Sequence, residues 1–187
     1  MKKNERKIHV IGLNSFKIED LSLEVQELLH KVKNIAAPSS YIDEIKDWVS
    51  MKLIADKNFY ESKSNLDLMN WLKSIDDEVI LISRGDPLWF GIGRILLEKF
   101  SKEELSFYPE KTCLQLAFSR IKKSWQDVKA VSIHGRETNE LIKLLKAKER
   151  GIAILTDPKN NNLELIRQNL KELDLESTYE FWLCEEL

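Results

Sequence analysis

The pattern of apolar and polar positions is most distinctive over residues 79–100. Four consecutive apolar residues, VILI at 79–82, predict a strand buried on both faces, as in a parallel sheet. The run ends in SRGDP at residues 83–87, where glycine and proline favour a sharp turn. Apolar residues then recur at helical spacing up to residue 100. This stretch therefore predicts a strand, a tight turn and a helix.

The same succession of an apolar strand, a short turn and an amphipathic helix repeats along the chain. Such alternation is typical of an α/β fold with an open, mostly parallel sheet. A proline that ends the strand at 105–109 marks a boundary, which gives an N-terminal lobe at 1–108 and a C-terminal lobe at 109–187. The predicted strands cover residues 7–12, 34–37, 51–55, 79–82, 105–109, 128–133, 151–155 and 179–187.

The turn at 83–87 follows the carboxyl end of a strand, which is where small molecules bind in open α/β sheets. Its backbone N–H groups and the Asp86 carboxylate are suited to contact a ligand. An ordinary β–α turn without any ligand explains the same spacing, because glycine and aspartate are common turn residues. Spacing alone leaves both readings open.

Two short motifs carry a family resemblance. Residues 85–93 are GDPLWFGIG, which resembles the "GDP, aromatic, GIG" loop of the tetrapyrrole (precorrin) methylases. Residues 131–136 are VSIHGR, which resembles the "VSxHGR" segment of the branch that methylates precorrin-6 at C5 in corrin biosynthesis. The similarity of pattern extends from the first strand to the last residue.

The resemblance implies two α/β lobes with the active cleft between them. It also implies an S-adenosylmethionine-dependent methyltransferase that acts on C5 of a late precorrin or cobalt-precorrin macrocycle. Longer relatives carry a C15-methylating and decarboxylating domain, so we expect such a domain in the same longer chain or in a separate protein. In the family, a glycine and a returning strand follow the last strand; both are missing here, so we expect a truncated C-terminal lobe.

Site residues are transferred from the family position by position. Of the family's first glycine-rich loop only Gly12 is kept. A helix N-cap explains Thr112 equally well, and a lone His134 has an ordinary structural reading. The guanidinium groups of Arg84 and Arg136 are expected to bind the acetate and propionate groups of the macrocycle, since arginine pairs with carboxylates bidentately. The expected cofactor contacts are Gly12, Ser15, Arg84, Gly85, Asp86, Trp89, Thr112, Cys113, His134 and Thr156.

No catalytic side chain is predicted, because methyl transfer from a sulfonium requires mainly that donor and acceptor are held in line. The sequence agrees with this, since it contains no metal-ligand cluster, no nucleophile elbow and no clear carboxylate pair. We therefore predict catalysis by positioning, and no metal site.

Composition limits the other classes of partner. The formal net charge is −2, with 32% charged and 43% apolar residues, and acids alternate with bases, which disfavours nucleic-acid binding. No apolar run has the length of a signal peptide or a membrane span. The two cysteines lie far apart without metal spacing. These features predict a cytoplasmic protein, and the resemblance together with the aromatic content predicts a homodimer.

Two alternatives to a C5-methyltransferase stay open, one with another specificity and one of another functional class. One is a tetrapyrrole methylase that modifies another ring position, and the other is a non-catalytic nucleotide-binding module. A nucleotide fingerprint requires further glycines after the first strand and an acid after the second, and Gly12 stands alone. The tripeptide RGD at 84–86 does not fit an adhesion motif, because it lies at a strand end.

Overall fold

Strands and helices alternate throughout the computed structural model, which describes residues 6–14, 18–52, 56–157, 162–185 and 187. The strands are β1 (Ile8–Leu13), β2 (Asn34–Ala37), β3 (Asn58–Glu61), β4 (Val79–Arg84), β5 (Leu105–Tyr108), β6 (Val128–Ser132) and β7 (Gly151–Leu155). The helices are α1 (Leu23–Lys31), α2 (Ser39–Met51), α3 (Asn65–Ser74), α4 (Gly93–Lys99), α5 (Cys113–Ile121), α6 (Asn139–Lys146) and α7 (Asn162–Glu172). Short 3₁₀ helices cover Ile18–Asp20 and Lys102–Glu104.

The chain divides into two units, unit 1 (Met1–Thr112) and unit 2 (Cys113–Leu187). Unit 1 contains a five-stranded sheet in the order β3-β2-β4-β1-β5, and unit 2 contains the pair β6-β7. Every strand pairing in the two sheets is parallel. The predicted α/β class with mostly parallel strands is therefore confirmed.

The central strands of unit 1 are the most apolar part of the chain. All six residues of β1 and the first four of β4 are buried, as predicted for the VILI run. The two strands pair from Ile8 opposite Val79 to Leu13 opposite Arg84, so they end at the same edge of the sheet. That edge carries the functional loops described below.

Helices cover both faces of the five-stranded sheet because strand side chains alternate between them. On one face Ile11 and Ile82 pack with residues of α1 and α2. On the other face Val10 and Leu81 pack with residues of α3 and α4. Each aliphatic side chain buried in this way contributes about 1.5–3 kcal/mol relative to exposure. Serine caps fix two of these helices: Ser22 Oγ accepts from Val25 N at 3.3 Å, and Ser64 Oγ accepts from Asp67 N.

Unit 2 has a smaller core. Residues of β6, α6 and α7 form one apolar cluster, in which Leu141 is fully buried. All five residues of β7 are only partly buried. The other fully or largely buried members of the cluster are Val131, Ile133, Leu145, Ile166 and Leu175.

The strand predicted at residues 51–55 is wrong. Helix α2 continues to Met51, and residues 53–55 lie outside the described residues. The strand at this point of the fold is β3, which pairs in parallel with β2. Both ends of β3, Asn58 and Glu61, are exposed, so this edge strand lacks the apolar signal that identified the others.

The strand predicted at residues 179–187 is also wrong. The described residues from 179 to 185 form no regular secondary structure. The Tyr179 hydroxyl donates to the Glu149 carbonyl oxygen, and Phe181, Trp182 and Leu183 are each about half exposed. Three consecutive exposed residues do not give the alternating burial that a strand packed on a core requires.

Unit 1 ends at Thr112, whereas the lobe boundary predicted from the sequence follows residue 108 and stays a prediction. Among the described residues, no helix combines the length and the apolar character needed to cross a membrane.

Candidate functional site

Three loops of unit 1 begin at one edge of the sheet. They follow β4, β1 and β5, which are neighbours in the sheet and run parallel. In an open α/β sheet this edge, outside the carboxyl ends of the strands, is the usual place for a ligand. Gly12 lies near the end of β1, and the loops contain Gly85 and residues 109–112. Gly12, Gly85 and Thr112 are among the predicted cofactor contacts.

Gly12 and Gly85 are in backbone contact. A Cβ atom on Gly12 would lie 1.8 Å from the Gly85 carbonyl oxygen and 2.9 Å from the Glu110 amide nitrogen. No side chain is compatible with these distances unless the backbone moves. Glycine at residue 12 is therefore required by the packing of the three loops against one another.

Hydrogen bonds fix the same three loops. Gly85 N donates to the Leu13 carbonyl oxygen at 3.0 Å, and Glu110 N donates to the Gly85 carbonyl oxygen at 3.3 Å. The Asn14 side-chain amide donates to the Lys111 carbonyl oxygen at 2.5 Å. The loop after β1 is thus joined to the loops after both neighbouring strands.

The GDP segment is a turn that Asp86 stabilises. Gly85 is buried and has φ of +60°, a left-handed conformation that favours glycine. Asp86 Oδ1 accepts from Leu88 N at 2.8 Å, and its carbonyl oxygen accepts from Trp89 N. One carboxylate oxygen of Asp86 therefore has a structural role within the turn.

The GIG segment packs on the same turn. Cβ atoms on Gly91 and Gly93 would lie 2.6 and 2.7 Å from the Pro87 carbonyl oxygen, and Gly93 N donates to that oxygen at 2.8 Å. Phe90, which precedes Gly91, has φ of +53°. The turn therefore extends to Ile92, and α4 begins at Gly93, later than the helical spacing predicts.

The remaining predicted residues of unit 1 lie beside this turn. The Trp89 ring is half-buried and makes an edge contact with the Phe90 ring. Thr112 is buried, and its Cα lies 3.8 Å from where a Gly85 Cβ would be. Ser15, predicted as a cofactor contact, lies outside the described residues.

Arg84 is the last residue of β4 and is exposed. Its Nε donates to the Tyr41 hydroxyl oxygen at 3.4 Å. The Tyr41 hydroxyl in turn donates to the Leu13 carbonyl oxygen at 3.2 Å. The arginine is therefore connected to the loop after β1 through a buried tyrosine of α2.

A cavity of 280 Å³ lies beside Gly12, between the ends of β1 and β5 and the start of α1. Its lining is mixed, with apolar and aromatic side chains beside the Ser22 hydroxyl and the carboxylates of Asp20 and Glu110. The lining residues are Ile11, Gly12, Asp20, Leu21, Ser22, Val25, Phe107, Tyr108, Pro109 and Glu110.

Tyr108, which lines the cavity, contacts the buried His9. His9 Nδ1 lies 3.3 Å from the Tyr108 hydroxyl oxygen, and among the described residues His9 Nε2 has no hydrogen-bond partner. Burial lowers the pKa of His9, against an opposing effect from Glu78. Burial also raises the pKa of Tyr108. This pair supports the sheet beneath the site.

Unit 2 brings two further predicted residues together. His134 Nδ1 lies 3.4 Å from the Thr156 carbonyl oxygen, because β6 and β7 run parallel and end side by side. Gly135 has φ of +60° and is exposed, as is Arg136. Cys113 begins α5 and is half-buried.

The model of the family Tetrapyrrole (Corrin/Porphyrin) Methylases matches residues 7–187. The chain belongs to this family. The resemblance drawn from the two motifs is thereby confirmed, and each motif of this methylase lies at the carboxyl edge of a parallel sheet.

Two relatives of this methylase carry specific names. "Probable cobalt-precorrin-7 C(5)-methyltransferase" of Methanocaldococcus jannaschii is 22% identical over 183 residues, covering 96% of this chain and 83% of that protein. "Precorrin-6Y C(5,15)-methyltransferase [decarboxylating]" of Sinorhizobium sp. is 31% identical over 78 residues, covering 36% of this chain and 19% of that protein.

Solved structures share the fold. The precorrin-6Y methylase of Archaeoglobus fulgidus superposes with a TM-score of 0.61 at 23% identity, over 86% of this chain and 78% of that one. The methyltransferase CobJ gives a TM-score of 0.65 at 18% identity, over 89% of this chain and 76% of that one.

Sequence reasoning did not identify three residues whose side chains or backbone groups connect the loops at the carboxyl edge of the unit 1 sheet. These residues are Asn14, Tyr41 and Glu110. Their roles depend on contacts between elements distant in sequence, so no local pattern indicates them. Across the described residues, no group of three or more His, Cys, Asp or Glu side chains is arranged to hold a metal ion.

Proposed function

We propose that this tetrapyrrole methylase transfers a methyl group from S-adenosylmethionine to C5 of a late precorrin or cobalt-precorrin macrocycle. The observation that carries the proposal is the backbone contact between Gly12 and Gly85 at the edge of unit 1. It joins the loop after β1 to the loop that bears the first family motif. The names of the two relatives support C5 as the position.

The chemistry of this edge suits a cationic methyl donor. Asp86 and Glu110 place carboxylates on loops that meet at Gly85, and Glu110 also lines the cavity beside Gly12. When bound, S-adenosylmethionine supplies a methyl group already activated by the sulfonium charge. The cavity of 280 Å³ lies just below the usual range of small-molecule pockets, about 300–1,000 Å³, and has room for part of the donor.

The protein's own contribution is orientation. We propose that the hydrogen-bonded loops hold the donor without rearranging, so that little ordering entropy is lost when the methyl group is aligned with the acceptor carbon. The donor contacts we propose are the ten predicted cofactor residues, among them Thr112, Cys113, His134 and Thr156. Arg84 and Arg136 are proposed to bind carboxylate arms of the acceptor, and no side chain is proposed as acid, base or nucleophile.

Four further expectations stay proposals. We propose that the methylase acts as a homodimer in the cytoplasm. We also propose that the chain divides into two lobes after residue 108. Methylation at C15 with decarboxylation is assigned to a further domain of a longer chain, or to a separate protein.

The test is a product analysis. The purified protein is incubated with a late precorrin and S-adenosylmethionine labelled with ¹³C in the methyl group, and the product is examined by mass spectrometry and ¹³C NMR. One added label at C5 is expected. A label at another ring carbon would replace the proposed specificity with that of a different tetrapyrrole methylase.

The second candidate function is that of a nucleotide-binding module without methyltransferase activity. Calorimetric titration distinguishes the two candidates. The proposed function predicts binding of S-adenosylhomocysteine and no binding of NAD. Binding of NAD alone, with no label in the macrocycle, would overturn the methyltransferase proposal.

A further inference from the structure

Tyr41 occupies an unusual position for a core tyrosine. It is 3% exposed and packs in the apolar cluster between α2 and the sheet, yet its hydroxyl reaches the carboxyl edge. There the hydroxyl donates to the Leu13 carbonyl oxygen at 3.2 Å and accepts from Arg84 Nε at 3.4 Å. One oxygen therefore connects α2, the end of β1 and the end of β4.

The connection fixes how Arg84 presents its charge. The side chain is exposed, and among the described residues it forms no ion pair. An exposed arginine otherwise samples many rotamers, whose loss opposes ligand binding. Nε is bonded to Tyr41, and no described residue is recorded as a partner of the two terminal nitrogens. These nitrogens can therefore bind a carboxylate in the planar end-on geometry that guanidinium offers.

The Leu13 carbonyl oxygen, which accepts the Tyr41 hydrogen bond, also contacts the loop proposed to bind the methyl donor. The Leu13 carbonyl oxygen also accepts from Gly85 N at 3.0 Å, so it binds the Tyr41 hydroxyl and the GDP turn together. The position of the guanidinium is thereby linked to the position of Gly85. A carboxylate bound to Arg84 would be held in register with the loop proposed to hold the methyl donor.

We propose that Tyr41 is a positioning residue, which orients the Arg84 guanidinium to receive a carboxylate arm of the acceptor macrocycle. The inference rests on the proposed function, because that function supplies the carboxylate. Tyr41 itself does not contact the acceptor in this assignment; it acts through Arg84. The competing explanation is that the hydroxyl only satisfies the Leu13 carbonyl oxygen and stabilises the fold.

The substitution Tyr41→Phe separates the two explanations, because it removes the hydroxyl and keeps the buried ring. The dissociation constant of the late precorrin and its KM should both rise by about threefold to tenfold, the range for one lost hydrogen bond. The kcat value should stay unchanged, since an interaction present in both ground and transition states affects KM alone. Binding of S-adenosylhomocysteine should stay within twofold or so of the unsubstituted protein's.

A double-mutant cycle shows whether the effect passes through Arg84. In an Arg84→Ala background, the further change Tyr41→Phe should not weaken macrocycle binding again. The matched control is Tyr179→Phe, which removes a tyrosine-to-carbonyl hydrogen bond of 2.8 Å in unit 2 and involves no arginine. The control should lower stability comparably and leave macrocycle binding unchanged.

A second measurement does not depend on the macrocycle. In ¹⁵N-labelled protein, the Arg84 Nε–H resonance, assigned by its loss in Arg84→Lys, should exchange slowly with water. In Tyr41→Phe its exchange should become at least severalfold faster, because the hydrogen-bond acceptor is missing. Unchanged exchange would overturn the inference directly.

The remaining outcomes distinguish the inference from the function it rests on. Methylation at C5 with unaltered macrocycle affinity in Tyr41→Phe would refute the inference and leave the function standing. Macrocycle binding that weakens in Tyr41→Phe, in a protein that transfers no methyl group, would refute the function and support the inference. Equal losses in both backgrounds of the cycle would assign Tyr41 a structural role only.

Discussion

The turns that follow strands β4 of unit 1 and β6 of unit 2 differ in how closely they are packed, as a comparison of two glycines shows. Gly85 in unit 1 and Gly135 in unit 2 both follow a parallel strand, and both have φ of +60°. Around Gly85 an added Cβ would meet the Lys111 carbonyl oxygen at 3.3 Å, whereas around Gly135 nothing lies within 4 Å. The same positive φ therefore occurs at a packed position in one unit and at an exposed position in the other.

This contrast teaches that a glycine with the same φ can stand in two different surroundings. At the edge of unit 1, Gly12, Gly85 and Thr112 are buried and backbone hydrogen bonds join neighbouring loops, which suits a site that must hold a ligand without rearrangement. The turn at 134–136 of unit 2 is exposed and presents polar side chains. We expect substitutions of the packed glycines of unit 1 to act mainly on stability and donor binding, and substitution of the exposed Arg136 of unit 2 to act mainly on acceptor kinetics.

The largest effect is expected for Gly12→Ala. A Cβ at 1.8 Å from the Gly85 carbonyl oxygen forces backbone to move, so unfolding in urea should show a loss of about 3 kcal/mol or more, at the upper end for overpacking. The control is Gly151→Ala in β7, where the nearest atom to the added Cβ is a methyl carbon of the Val128 side chain at 3.1 Å. Equal losses in the two variants would contradict the difference between the units.

The next effect concerns unit 2 and is kinetic. Arg136→Ala should lower kcat/KM for the macrocycle by about tenfold to a few hundredfold, which corresponds to about 1.5–3 kcal/mol for a charged hydrogen bond. The free energy of unfolding should change by less than about 0.5 kcal/mol, as for other exposed positions. Arg150→Ala is the control, since Arg150 is exposed at the opposite, amino end of β7. A comparable loss in Arg150→Ala would indicate general charge attraction instead of a specific contact.

Replacing Gly85 and Gly135 each by alanine tests the comparison of the two turns. Gly135→Ala should cost about 1 kcal/mol, the strain of a left-handed conformation with a side chain. Gly85→Ala should cost about 2 kcal/mol, because the same strain is joined by crowding against residue 111. Calorimetry should also show weaker S-adenosylhomocysteine binding in Gly85→Ala. Normal donor affinity in that folded variant would exclude this loop as the donor site.

The smallest effect is a pH dependence carried by unit 1. Burial lowers the pKa of His9 below its ordinary value of 6.5, so the unfolded chain takes up the proton first as the pH falls. Stability should therefore decrease as the pH falls from 6.5 toward the lowered pKa of the folded protein, and His9 should have no such effect above 6.5.

Urea unfolding across this interval tests the assignment. In His9→Phe the dependence should become shallower, whereas in His134→Gln, which changes a histidine on the exposed turn of unit 2, it should persist. An unaltered pH dependence in His9→Phe would assign the effect to other groups.

The sequence by itself determined the central strand, the parallel α/β class and the family. Residues 79–82 are apolar without interruption because β4 is buried on both faces, and a local pattern records that burial directly. The two motifs were sufficient to indicate the methylases, since each occupies one continuous turn. The proposed donor and acceptor residues in these turns were transferred from the family and stay predictions.

Only the tertiary structure decided which contacts unite the edge. Gly12 and Gly85 are 73 positions apart in sequence, and their contact exists because β1 and β4 pair in parallel and end together. Tyr41 and Asn14 acquire their roles in the same way, through strands and helices that pairing brings side by side.

Pairing with a neighbouring strand also determines whether the segments at residues 58–61 and from residue 179 form strands. The polar segment Asn58–Glu61 is a strand because β2 provides a parallel partner for its backbone. The apolar, alternating segment from residue 179 forms none among the described residues. A strand forms only when another strand supplies partners for its backbone hydrogen bonds. The alternation of apolar and polar side chains predicts only which face of the strand is buried once it is paired.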